Sequence, residues 1–102
     1  YAGSMPEENT LLQNYPNPFK LTRSNFTSIA FGLAESQPVT ITIFDLQGRV
    51  IKNLVNETRD AGWHKEEWDG RDNSDMQVGS GVYFYRIATP GFIDTKKLLL
   101  LK

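Results

Sequence analysis

The sequence contains no cysteine, a single histidine and almost no net charge, with 11 Lys and Arg against 12 Asp and Glu. Without cysteine there is no disulfide framework, no Cys-based zinc site and no thiol nucleophile. The compartment stays open, because exported proteins can also lack bridges. A lone His64 leaves little for acid–base chemistry near neutral pH, so the chain is not expected to be an enzyme. Balanced charge lacks the electrostatic footprint that a phosphate backbone demands, which argues against nucleic acid as a partner. No cofactor is called for. Long hydrophobic runs are missing too. The run Leu98 to Leu101 falls far short of the ~20 residues that cross a bilayer, so a membrane-spanning helix is not expected. Tyr1 to Thr10 has neither the basic start nor the apolar centre of a signal peptide. Gly3-Ser4-Met5 reads as a cloning scar or as native linker, and residues 1–10 are expected to be a linker or expression-tag remnant. On the first alternative the chain is a piece of something longer.

What is present is a succession of short strands separated by turn residues. The 102 residues fit one domain. Ile29, Phe31 and Leu33 share one parity, and Val39, Ile41 and Ile43 alternate with Thr40 and Thr42 in a half-buried, β-branched pattern. Leu46-Gln47-Gly48-Arg49 supplies a turn in which Gly48 is free to take positive φ, and Val50 to Val55 returns. Trp63 to Trp68 forms a charged strand framed by two tryptophans. Val82 to Ala88 puts Tyr83, Tyr85 and Ile87 on one face and Val82, Phe84 and Arg86 on the other. A last strand runs from about Thr95 to Leu101, and an opening one lies near Leu11 to Asn14. No window carries a helical apolar stripe. The pattern predicts an all-β fold, an immunoglobulin-like antiparallel β-sandwich of about seven strands.

Few constellations offer chemistry. Asp69-Gly70-Arg71-Asp72-Asn73-Ser74-Asp75 has the oxygen ligands of a calcium loop, but Arg71 occupies the second ligand place. A polar turn with side-chain-to-backbone bonds explains the same residues. Trp63, Trp68 and Tyr83 could stack on sugar rings, except that Trp63 and Trp68 differ in parity. Trp68 is therefore expected in the core and Trp63 as a partly exposed cross-strand partner. His64 with Asp60, Glu66 or Ser80 lacks a nucleophile-elbow context and reads as an ordinary strand residue.

The two ends of the chain are more specific. Leu11-Leu12-Gln13-Asn14-Tyr15-Pro16-Asn17-Pro18-Phe19 opens the domain. Trp68-Asp69-Gly70-Arg71-Asp72 and Gly79-Ser80-Gly81-Val82-Tyr83-Phe84-Tyr85-Arg86-Ile87 follow in its second half, and Lys96-Lys97-Leu98-Leu99-Leu100-Leu101-Lys102 closes it. With Val39 to Val50 in the middle, and Gly48 in its turn, these resemble the type A C-terminal sorting domain of the type IX (Por) secretion system of Bacteroidetes and related Gram-negative bacteria. The resemblance covers residues 11–102.

It implies a folded tag that carries an N-terminal cargo domain of the same chain through the periplasm and across the outer membrane. The type IX translocon and sortase-like outer-membrane proteins would read the tag, and the cargo would be secreted or held at the cell surface. Such tags are often cut from their cargo, sometimes with linkage of the cargo to surface lipopolysaccharide, and a cut would be expected within Tyr1 to Thr10. Carried over by motif, the sorting signal comprises Gly81, Tyr83, Lys96, Lys97, Leu98, Leu99, Leu100, Leu101 and Lys102. Asn14, Tyr15, Pro16, Asn17, Pro18, Phe19, Gly48, Trp68, Asp69 and Gly70 are the structural motif.

The residues themselves add expectations. Pro16 and Pro18 stiffen the opening and should seat Tyr15 and Phe19. Tyr83 should bond its hydroxyl to backbone near a turn. Two of the four leucines should enter the core, the other two forming an outward strip or the second face of a fully buried strand.

The sequence departs from the family in three places. Lys20-Leu21-Thr22-Arg23 replaces the usual continuation of the opening motif, Glu66 stands where an apolar residue is common, and Asp75 stands for a turn glycine. Two rivals remain. One is a carbohydrate-binding or stalk-type β-sandwich of a secreted hydrolase. The other is a flagellar hook-cap-like immunoglobulin domain, which shares the W-D-G-x-D and G-x-Y pattern but is not expected to end on a lysine-bracketed leucine tail.

Overall fold

The computed structural model describes residues 4–102, and every helix or strand among them is a strand. The strands are β1 (Thr10–Leu11), β2 (Phe19–Lys20), β3 (Thr27–Leu33), β4 (Gln37–Phe44), β5 (Val50–Arg59), β6 (Gly62–Trp68), β7 (Gly81–Thr89) and β8 (Phe92–Leu101). They form a three-stranded sheet, β1-β3-β6, and a five-stranded sheet, β2-β8-β7-β4-β5. No helix among the described residues is long and apolar enough to cross a membrane.

The period-two pattern places the core. Ile29, Phe31 and Leu33 of β3 face Val39, Ile41, Ile43, Tyr85, Ile87, Leu98 and Leu100 of the larger sheet, all buried. Inner-face partners meet in register, Ile41 opposite Ile87 and Ile43 opposite Tyr85 across β4 and β7, then Tyr83 opposite Leu98 across β7 and β8. Trp68 fills one end of the core, its ring edge-on to Tyr83 at 5.7 Å and tilted against Phe19 at 6.3 Å.

Two details depart from the sequence expectation. The opening strand expected over Leu11 to Asn14 is reduced to β1, followed by an isolated Tyr15–Ser28 bridge. Pro16 and Pro18 have no N–H to donate, so the chain cannot continue as a ladder beside β3. It crosses instead to the other sheet, where β2 pairs with β8 in parallel, Phe19 opposite Leu100 and Lys20 opposite Leu101. The sandwich is thus antiparallel except at this pair, and has eight strands because the opening contributes two short ones.

Residues 1–3 of the expected linker lie outside the described residues, but the remainder of that stretch packs on the sandwich. Asn9 donates to Gln37 Oε1 and accepts the Ala34 N–H at 2.9 Å. Half-buried Trp63 donates its indole N–H to the Ser4 carbonyl at 2.6 Å. Its ring crosses Gly32, where a Cβ would lie 2.9 Å from it, so only glycine fits beneath. Glu66 resolves its apolar-position problem by pairing with Arg59, which also binds Glu57 at 2.6 Å. Hydrogen bonding to Glu66 raises the Arg59 pKa, against an opposing effect of burial. Asp75 adopts φ of 63°, the left-handed conformation that the missing glycine would take at no steric cost.

Candidate recognition site at the last strand

Along β8 the side chains alternate. Leu98 and Leu100 point inward and are fully buried, whereas Leu99 and Leu101 lie half-buried on the outer face. The strand is therefore core on one side and an open apolar strip on the other. Lys96 and Lys97 do not act as a pair. Lys96 has the inward parity and stands opposite Tyr85, while Lys97 is exposed on the outer face opposite Phe84. Lys102 lies just past the strand, and its N–H donates to Ser80 Oγ at 2.9 Å.

The opening motif is what holds this strand from its other edge. Gln13 Nε2 donates to the Lys97 carbonyl at 2.8 Å, Leu99 N–H donates to Asn17 Oδ1 at 3.0 Å, and Leu21 N–H donates to the Leu101 carbonyl at 2.9 Å. Phe19, fully buried, sits between these bonds. Tyr15 is not seated with it. Its ring is 80% exposed, because the Tyr15–Ser28 bridge fixes the backbone of the small sheet and turns the side chain outward.

Asn14 is buried and fully occupied, donating to Thr27 Oγ1 at 2.9 Å and the Pro16 carbonyl at 3.2 Å. Thr27, also buried, donates to the Pro16 carbonyl as well. Tyr83 donates to the Gly79 carbonyl at 2.7 Å, the expected bond near a turn. Burial pushes its pKa up, with a smaller contribution from Asp45. Tyr85 carries a stronger version, which sequence reasoning missed. Its hydroxyl donates to the Leu12 carbonyl and accepts the Asn14 N–H, both at 2.8 Å. Burial, opposed by the Asn14 bond and helped by Asp94, pushes its pKa up to about 12.

Gly70 belongs to the same region. A Cβ there would lie 2.8 Å from Gln77 Nε2 and 3.2 Å from a Leu100 methyl, at a φ of 81° that itself favours glycine. The structure so gathers Asn14, Asn17, Phe19, Trp68, Gly70, Tyr83 and the last leucines around one strand. Gly81 stands opposite Leu100 in β7, Pro16 and Pro18 shape the crossing, and Asp69 accepts the Arg71 N–H at 3.1 Å. Gly48 sits apart, in the β4–β5 turn with φ of 85°.

The rival constellations find other uses. Asp72 Oδ1 accepts the Ser74 and Met76 N–H groups, and Asp69 and Asp72 thereby close turns. No three His, Cys, Asp or Glu among the described residues are grouped to hold a metal ion. Trp68 is core, which removes the paired tryptophan platform. His64 stacks on Phe31 at 5.2 Å and its Nε2 lies 2.8 Å from the Asp60 carbonyl, while Ser80 serves Lys102.

Comparison with known proteins places this geometry. The family model for the FlgD Ig-like domain matches residues 20–90. No curated protein matches the chain. Among solved structures, it is similar to PorZ, described as an essential bacterial surface component of the type-IX secretion system of Porphyromonas gingivalis. That match has 20% identity and a TM-score of 0.65, covering 98% of this chain and 13% of the other. Dimeric latent PorU from Porphyromonas gingivalis is similar at 19% identity and a TM-score of 0.71, covering 97% and 10%. FlgD from Pseudomonas aeruginosa is similar at 22% identity and a TM-score of 0.58, covering 93% and 67%. Identities this low establish a shared fold. The chain spans only 13% and 10% of the PorZ and PorU chains.

Proposed function

The chain belongs to the FlgD Ig-like domain family, and on that scaffold we propose that it is a type A C-terminal sorting domain of the type IX secretion system. In this reading it has no catalytic role. It directs an N-terminal cargo domain of the same chain through the periplasm and across the outer membrane of a Gram-negative bacterium, to the medium or the cell surface. The translocon and its sortase-like outer-membrane partner read the last strand.

One observation carries the proposal. The opening motif and the leucine tail, the two segments whose resemblance to sorting domains is most specific, are bonded into one unit that turns Leu99 and Leu101 outward. The fold shared with a surface component of the type-IX secretion system supports it. The test is a fusion of residues 11–102 to a periplasmic reporter in a type IX-competent host. Export is expected, and deleting Lys96 to Lys102 should strand the reporter in the periplasm. Equal export without the tail would refute the assignment.

A second reading follows from the family match itself, a hook-cap-type domain of a flagellar assembly. It predicts that the fusion is not exported and that the chain instead restores motility when it replaces the corresponding domain of a hook-cap protein.

A further inference from the structure

The outer face of the five-stranded sheet continues the leucine strip into residues that the tail does not contain. Leu99 stands opposite Val82, and the next row runs from Lys97 through Phe84 and Phe44 to Val50. Phe44 and Phe84 are half-buried and, with Leu46, Gly48 and Arg86, line a shallow depression. Leu46 and Val50 remain largely exposed.

Two cations border this apolar floor. The Arg86 guanidinium carbon lies 4.6 Å above the Phe44 ring, which fixes it on the face. Lys97 flanks Phe84 on the other side. Neither has a carboxylate partner among the described residues. Asp45, the carboxylate at the rim, is already held by Arg49 at 2.7 Å and by the Gln47 and Arg49 N–H groups. The face thus offers apolar area and uncompensated positive charge side by side.

We propose that this face docks an acidic protein segment, which sets an apolar side chain between Phe44 and Phe84 and carboxylates on Arg86 and Lys97. Arg86 is suited to the contact because its fork donates two N–H groups to a carboxylate and is already held in place. Aromatic side chains with an adjacent arginine are the usual anchors of protein interfaces. The inference rests on the sorting reading for its biological role and extends it by naming the chemistry of the partner. It does not need that reading for the binding itself.

The test titrates the nitrogen-15-labelled 102-residue chain with a blocked peptide alternating Glu and Phe. The same peptide with Lys for Glu, and phosphatidylglycerol vesicles, serve as comparisons. The acidic peptide alone should shift the amides of Phe44, Phe84, Arg86 and Lys97, and Arg86→Glu with Lys97→Glu should weaken binding by about tenfold or more. Shifts confined to other residues, an equal response to the basic peptide, or undiminished binding by the double variant would overturn the proposal. So would a response to vesicles but not to the peptide, which would mark a lipid surface.

In the export assay Arg86→Glu, outside the tail, should lower reporter export about tenfold, whereas Lys65→Glu on the three-stranded sheet should not. Normal export of Arg86→Glu beside failed export of the tail deletion overturns the role of this face in export and keeps the sorting reading. Export that survives tail deletion overturns the sorting reading, and the peptide titration then decides the docking face alone.

Discussion

Asn17 and Leu99 are joined by a hydrogen bond from the Leu99 N–H to Asn17 Oδ1 at 3.0 Å, although 82 positions separate them. The bond occupies a main-chain donor on the free side of β8, just before the parallel pairing with β2 begins at Leu100. Asn17→Ala removes the acceptor and should cost about 0.5–1.5 kcal/mol. Amide hydrogen exchange checks it. The Leu99 amide should lose protection by more than those of Leu98 and Leu100, and an unchanged Leu99 rate would refute the clamp.

Tyr85 and Tyr83 make an informative pair because they share a strand face but not a bonding role. Tyr85→Phe strips both partners from a buried site, leaving the Asn14 N–H and the Leu12 carbonyl without their bonds. That should cost about 1–3 kcal/mol. Tyr83→Phe forfeits one bond, to Gly79 near the surface, and should cost no more than about 1 kcal/mol. Urea denaturation of the two variants should therefore show the larger loss for Tyr85→Phe, and the reverse order would contradict the assigned roles.

The same hydroxyl gives an alkaline signature. Burial pushes the Tyr85 pKa from about 10, its ordinary value in an unfolded chain, up to about 12 in the folded one. Since the folded value is the higher, its stabilising contribution is complete below about pH 10 and is lost as pH rises through about 12. Denaturation midpoints measured between pH 9 and pH 12 should fall more steeply for the natural chain than for Tyr85→Phe. Lysine deprotonation is common to both, so parallel curves would mean that Tyr85 does not carry the effect.

Asp75 sits at φ of 63°, and its carboxylate makes only a distant contact to Arg71, 4.0 Å between Oδ1 and Nε, whereas its carbonyl accepts Arg71 Nη1–H at 3.0 Å through backbone that glycine keeps. Asp75→Gly relieves the left-handed strain and gives up almost nothing, so it should raise stability by about 0.5–1 kcal/mol. A thermal midpoint that falls instead would show that the Asp72 turn depends on this side chain.

The alternating strands were legible because burial on one face leaves a period of two that a single sequence displays, as in Val39-Ile41-Ile43 and Tyr83-Tyr85-Ile87. Parity also separates Lys96, opposite Tyr85 on the inward side, from Lys97 on the outer face. The parallel β2–β8 pairing leaves no local trace, since it depends on two short segments from opposite ends of the chain meeting. Asn14 was noted as part of a motif, yet its burial follows from Thr27, Pro16 and Tyr85 converging on it, which no spacing reveals. Tyr15 shows the converse. An aromatic between a buried Asn and a proline reads as core, but the bridge to Ser28 sends it out. Phe84 is visible in the sequence only as an outward member of its strand, and its meeting with Phe44 is a product of sheet order.

Leucines of the tail should separate folding from recognition. Leu98 and Leu100 are fully buried, so Leu98→Ala or Leu100→Ala opens a cavity and should cost about 2–5 kcal/mol, a large share of a small domain's stability. Leu99 and Leu101 stand half-buried on the outer face, and serine there should cost about 1 kcal/mol or less. Circular dichroism of the chain and export of the reporter fusion should accordingly diverge. Leu99→Ser with Leu101→Ser should keep the cooperative unfolding transition while cutting export about tenfold. If only the destabilising inward substitutions impaired export, the tail would matter through the fold alone, and the outward strip would have no part in recognition.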